Sequence, residues 1–173
     1  MKKSTLALLL LAFTAVFLIQ LPARVFAGPA EDVQVAMQLL KSKAAMLGPP
    51  SVNGEEAVAG RIVPALHFGA TKMNNNFVLV DAVQKEVGGT ATVFVKSGDE
   101  FVRVATNVKK DDGSRAIGTL LDPKGKAIAA IAKGENYFGE ADILGKPYMT
   151  GYEPIRDASS NVIGIYYVGY LKN

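Results

Sequence analysis

The sequence predicts an α+β fold in which one long N-terminal helix packs on an antiparallel sheet of five to six strands. Two observations predict it. Apolar residues repeat at helical spacing early in the chain and give way to Val-, Thr- and aromatic-rich runs from Thr90 onward. Those later runs follow one another through short polar turns, the pattern of segregated layers rather than of alternating β-α units. With 173 residues the chain has room for one ordinary domain.

The first 27 residues read as an export signal, with Lys2 and Lys3 as a positive start and an apolar run from Leu6 to Ile19. A more polar tail ends Val25-Phe26-Ala27, which places cleavage before Gly28. The alternative is an uncleaved membrane anchor, which needs Pro22 and Arg24 to enter hydrocarbon. After cleavage the expected location is the periplasm or the cell exterior.

Residues 30–47 form the long helix. Glu31 and Asp32 sit at its positive end, and Val33, Met37, Leu40, Ala44 and Leu47 make one face. Gly48-Pro49-Pro50 stops it. Residues 48–64, with three Gly and three Pro, read as a linker or a loop with a broken helix, so residues 28–64 form a helix-and-linker arm. Residues 65–173 then form the main domain. His67, among apolar neighbours, reads as a hydrogen-bonded packing residue. Phe77 to Val87 suggests a short helix ended by Gly88-Gly89, with Phe77 to Val80 open to a strand instead.

Thr90 to Lys96 and Glu100 to Val108 read as a hairpin turned by Ser97-Gly98-Asp99. Asp111-Asp112-Gly113 makes another turn, too short for a calcium loop. Ala127 to Ala132 reads as a helix behind Asp122-Pro123-Lys124-Gly125. Tyr137 to Leu144, Pro147 to Ile155 and Val162 to Leu171 complete the strands.

Composition narrows the chemistry. Of 19 basic residues, Lys2, Lys3 and Arg24 lie in the leader, leaving 16 basic groups against 16 acidic ones. Such a balanced body lacks the basic stripe that nucleic acid or an anionic membrane requires. No cysteine and one histidine exclude disulfides, thiolate metal sites and multi-histidine metal sites. No spacing of hydroxyl, carboxylate or lysine stands out as catalytic, so neither an enzyme nor a cofactor is expected.

Five ordered blocks carry a resemblance. Phe101 to Val108, Asp112 to Thr119, Gly134 to Ala141, Gly145 to Ile155 and Ile163 to Gly169 resemble the signature of the single Cache domain family, over about Gly69 to Leu171. The resemblance implies a PAS-like fold with a long N-terminal helix and an antiparallel sheet holding a small-molecule pocket. It implies an extracytoplasmic sensor of the kind found in chemoreceptors and histidine kinases, with a lid from the stretch after the central hairpin. The turn Ala158-Ser159-Ser160-Asn161 lacks the glycine common there, although Asn tolerates left-handed geometry. No membrane helix or output module follows the last strand, so the expectation is a stand-alone domain acting through a partner.

Strand alternation puts Phe101, Arg103, Ala105 and Asn107 on one face, and Tyr148, Thr150 and Tyr152 on one face of another strand. Tyr137, Gly139 and Ala141 share a third. An arginine fork among phenols suits a small carboxylate. Glycines 139, 151, 164 and 169 leave room for a ligand or a crossing strand. The candidate ligand-binding residues are therefore Phe101, Arg103, Arg115, Tyr137, Tyr148, Thr150 and Tyr152, with ion pairing for the arginines and sheet packing for the tyrosines as the competing roles. No metal ligand is assigned. The expected partners are a small organic ligand and a membrane receptor or sensor kinase. The alternative is a non-catalytic interaction or structural protein without ligand, a homodimer joined through the N-terminal helix.

Overall fold

The chain from Gly28 to Lys172 is described by a computed structural model; the expected leader lies outside these residues. Helix α1 (Pro29–Leu47) is followed by β1 (Pro50–Val58), β2 (Arg61–Phe68), the short β3 (Thr71–Lys72) and helix α2 (Val78–Val87). Strands β4 (Thr90–Ser97) and β5 (Glu100–Thr106) precede helix α3 (Lys126–Ala132), and β6 (Tyr137–Ile143), β7 (Lys146–Arg156) and β8 (Val162–Leu171) end the fold. The main sheet has the order β5-β4-β8-β7-β6 with every pair antiparallel.

The apolar stripe of α1 becomes its buried face. Val33, Met37, Leu40 and Ala44 are all buried, and the helix packs on β7, β8 and α2. Burial of each larger member is worth about 1.5–3 kcal/mol, which holds the helix on the sheet. The stripe that suggested a dimer is therefore covered by the chain's own sheet. Only its last member, Leu47, is substantially exposed. This back layer also takes Val80 and Val83 from α2, and Phe68 from β2 stacks on Tyr166 of β8 at 5.7 Å.

Residues 48–64 differ from the expected linker. They build the β1–β2 hairpin, which with β3 forms a separate three-stranded sheet beside the back layer. Its turn is Ala59-Gly60 with both φ angles positive (48° and 83°), the geometry that suits the twist of a two-residue hairpin. Alanine is a poor signal for such a turn, so the sequence concealed it. Asn74 ties the arm to the body: its side chain accepts from Leu66 N–H and donates to the Pro64 carbonyl. His67 is half-buried with Nδ1 3.1 Å from the Ala65 carbonyl.

The front of the sheet carries a second core of Phe94, Phe101, Ile165, Tyr152 and Tyr167, capped by Ala127 and Ile131 of α3. Cross-strand partners share a face, so Thr106, Thr92, Tyr167, Tyr152 and Tyr137 make one continuous row across it. The expected alternation of β5 holds only to Arg103. Val93 pairs with Ala105 while Phe94 pairs with Arg103, so Val104 is an extra residue on β5. This bulge turns Ala105 and Asn107 to the back, where Asn107 accepts from Ala91 N–H and donates to the Val80 carbonyl.

Candidate ligand-binding site

Arg103 projects from the front of β5 and is only 4% exposed. Its guanidinium lies over the Phe94 ring, 5.0 Å from the centroid, and Nη1 donates to Thr119 Oγ1 at 2.7 Å. Nε is buried without a hydrogen-bond partner. Among the described residues no carboxylate forms an ion pair with this side chain. Burial pushes its pKa below the ordinary value, while the nearby Tyr167 and Tyr152 act the other way. Since an arginine starts so far above neutrality, the group stays charged. A buried charge without a counter-ion costs several kcal/mol, which an incoming anion offsets.

The wall beside Arg103 is phenolic. Tyr152 and Tyr167 are fully buried with ring centroids 5.0 Å apart, and Tyr137 lies 6.1 Å from Tyr152. Desolvation raises the pKa of Tyr152 and Tyr167 well above the usual phenol range, so both keep their protons at physiological pH. A cavity of 480 Å³ opens between Arg103, Tyr137 and Tyr152 on one side and the segment Leu120 to Ala127 on the other. Its volume suits a small metabolite. Ala127 and Ile143 supply apolar surface, and Asp122, Lys126, Glu140 and Asp142 surround the mouth with charge of both signs.

The other expected residues lie elsewhere. Phe101 packs in the front core and borders a different 590 Å³ cavity beside α3, with Ile131 and Arg156. Thr150 is fully buried and donates to the Gly139 carbonyl at 2.7 Å. Tyr148 packs against the front core outside the cavity lining. Arg115 points towards α2, where it grips Asp81, donates to the Thr106 carbonyl and stacks on Phe77 at 4.3 Å. The space at two of the singled-out glycines holds the protein's own phenols: Tyr137 lies over Gly139 and Tyr167 over Gly169. Phe138 and Val33 crowd Gly151, and the Phe94 carbonyl crowds Gly164.

The stretch from which the resemblance implied a lid supplies the cavity's outer wall, but sequence reasoning singled out none of the residues that line it. Leu120, Leu121, Asp122, Lys124 and Lys126 line it, and Thr119 holds its cation. Beside the resemblance, the signal in the residues themselves was the turn Asp122-Pro123-Lys124-Gly125, in which Asp122 Oδ1 accepts from Lys124 N–H. Residues 118–121 run along the outer edge of β5. Arg103 N–H donates to the Thr119 carbonyl, Gly118 N–H to the Arg103 carbonyl and Leu121 N–H to the Phe101 carbonyl. The β7–β8 turn also departs from expectation: its left-handed residue is Ser160 (φ 66°), and Asp157 caps it by accepting from Ser159 and Asn161 N–H.

Among the described residues no cluster of three acidic or histidine side chains could hold a metal, and no helix is long and apolar enough to cross a membrane. Comparison with the curated proteins finds no match. A family description does match, the Cache 3/Cache 2 fusion domain, over residues 30–173. That span includes α1 and the β1–β2 hairpin, which the five sequence blocks left out. A helix behind an antiparallel sheet, a cavity in front of it and a match over most of the chain lead to one conclusion: this protein belongs to the Cache 3/Cache 2 fusion domain family of extracytoplasmic sensor domains.

Proposed function

We propose that this domain is exported and binds a small organic carboxylate in the front cavity, without chemistry, and that a membrane receptor or sensor kinase reads the complex for signal transduction or chemotaxis. The observation that carries the reading is Arg103, a buried cation with no carboxylate partner among the described residues and an unpaired Nε. A ligand carboxylate supplies the missing counter-ion through charge-assisted hydrogen bonds. Tyr152 and Tyr137 frame it, and Ala127 and Ile143 cover a short carbon chain. Export is supported by the Lys2-Lys3 start, the apolar run from Leu6 to Ile19 and the tail ending Val25-Phe26-Ala27.

A thermal-shift screen of the mature protein with short mono- and dicarboxylates, hydroxy acids and amino acids tests this. A bound compound at a hundredfold excess over its dissociation constant adds about 2.7 kcal/mol of stability. The expected result is a shift with at least one carboxylate that vanishes in Arg103→Gln. No shift across the panel, together with no small acid in mass spectra of the purified protein, would overturn the reading.

A further inference from the structure

Thr119 holds Arg103 through a hydroxyl whose roles are fixed. Its proton goes to the Ala116 carbonyl at 2.8 Å, so towards Arg103 Nη1, 2.7 Å away, it acts only as an acceptor. Backbone bonds reinforce the link, from Arg103 N–H to the Thr119 carbonyl (2.9 Å) and from Gly118 N–H to the Arg103 carbonyl (2.8 Å). On its other side the same segment meets the β1–β2 hairpin. Gly118 has φ +76°, and a Cβ built there would lie 2.5 Å from Ala59 Cβ at the hairpin tip. Four residues before Thr119, Arg115 is clamped to Asp81 of α2. One short stretch, residues 115–121, thus touches the cavity's cation, the hairpin and α2.

We infer that Thr119 is a positioning residue for Arg103, and that residues 115–121 form the path by which occupancy of the cavity reaches the β1–β2 hairpin. The inference rests on the carboxylate reading of that cavity. Nε of Arg103 is sealed from solvent as well as unpaired, so a carboxylate that satisfies it must move the guanidinium or the segment beside it. Either motion acts on Thr119 first, because its hydroxyl has no second proton with which to compensate. Gly118 then transmits the displacement to Ala59, since the space between them is too small for a single methyl group.

Hydrogen–deuterium exchange on the mature protein, wild type against Thr119→Val and Thr119→Ser, tests the path. In ligand-free Thr119→Val, exchange in residues 57–61 and 116–121 is expected to quicken about fivefold, the ratio for one net hydrogen bond. Thr119→Ser keeps the acceptor and restores the wild-type rate. With acetate, propionate, pyruvate and succinate as probes, any that stabilises the wild type changes exchange in both segments, and Thr119→Val weakens its binding about tenfold while Thr119→Ser does not. Unchanged hairpin exchange in folded Thr119→Val overturns the path, whether or not a probe binds. Binding that Thr119→Val leaves intact overturns the positioning role. If no probe binds, the carboxylate reading fails on its own evidence, and the ligand-free comparison still decides the path.

Discussion

Arg115 meets Asp81 as a two-point fork, with Nη1 2.7 Å from Oδ1 and Nη2 2.8 Å from Oδ2. The pair ties the segment after β5 to the start of α2, and the side chains are 25% and 42% exposed. Exposure at that level screens the attraction, so the pair is worth about 1 kcal/mol or less, to which the contact with Phe77 adds a further part. The expected outcome for Arg115→Ala is a loss of about 1–2 kcal/mol in urea unfolding with any ligand-induced shift retained. A variant of normal stability that no longer responds to carboxylates would return Arg115 to the binding site.

Arg103 predicts the opposite pairing of effects. A buried charge without a partner is a stability cost, and replacing such groups by apolar ones of similar size is often neutral or stabilising by about 1–4 kcal/mol. Arg103→Met keeps the contact with Phe94 and removes the charge. In the absence of ligand it is expected to unfold at the same or higher urea concentration than the wild type, while losing every carboxylate-induced shift. A strongly destabilised Arg103→Met would mean that the guanidinium serves the fold.

These two arginines mark how far the sequence could be read. Both sit in the quoted blocks, and chemistry alone gave them the same role. What separates them is the third dimension: Arg103 lies on a strand facing the front core, and Arg115 lies in a loop within reach of an acid 34 positions earlier. The strands and helices from Thr90 onward were legible because their turns are rich in Gly, Asp and Ser. The β1–β2 hairpin was not, since its turn uses Ala59 and its strands contain Pro50 and Pro64. The extra residue at Val104 leaves no compositional trace, because Val102 and Val104 fit either face. Thr119 was invisible for a related reason: its value lies in a hydrogen bond to a residue 16 positions away.

The buried phenols give a pH signature. Tyr152, Tyr166 and Tyr167 all have pKa values raised by desolvation above the ordinary value of 10.0. In the unfolded chain these phenols ionise near the ordinary value, about 10, whereas in the native state they stay protonated. Native protein therefore binds more protons than unfolded protein above that pH. The contribution of these groups is fully present at neutral pH and is lost as pH rises beyond about 10. Urea unfolding at increasing alkaline pH is expected to show this loss, with phenolate absorbance appearing together with unfolding. Substituting Tyr166 by Phe should reduce the slope. Early ionisation of Tyr152, Tyr166 and Tyr167 in folded protein would contradict the burial argument.

Gly118 and Ala59 offer a test by double substitution. Gly118 lies at φ +76°, and a methyl group there meets the Ala59 side chain and backs onto the Val58 carbonyl at 3.3 Å. Gly118→Ala therefore adds left-handed strain, about 1–2 kcal/mol, to a steric clash at the hairpin tip. Ala59 is itself left-handed, with φ 48°, so Ala59→Gly relieves strain in the native state while loosening the unfolded chain. Those two effects oppose each other, and the single variant is expected to unfold within about 0.5 kcal/mol of wild type. In the double variant the hairpin-tip methyl that the new side chain would strike is gone. Its stability should exceed the sum of the single effects by about 0.5–3 kcal/mol, the range for residues in direct contact. Additive effects would mean that the hairpin tip moves away at little cost, and that Gly118 matters for its backbone angle alone.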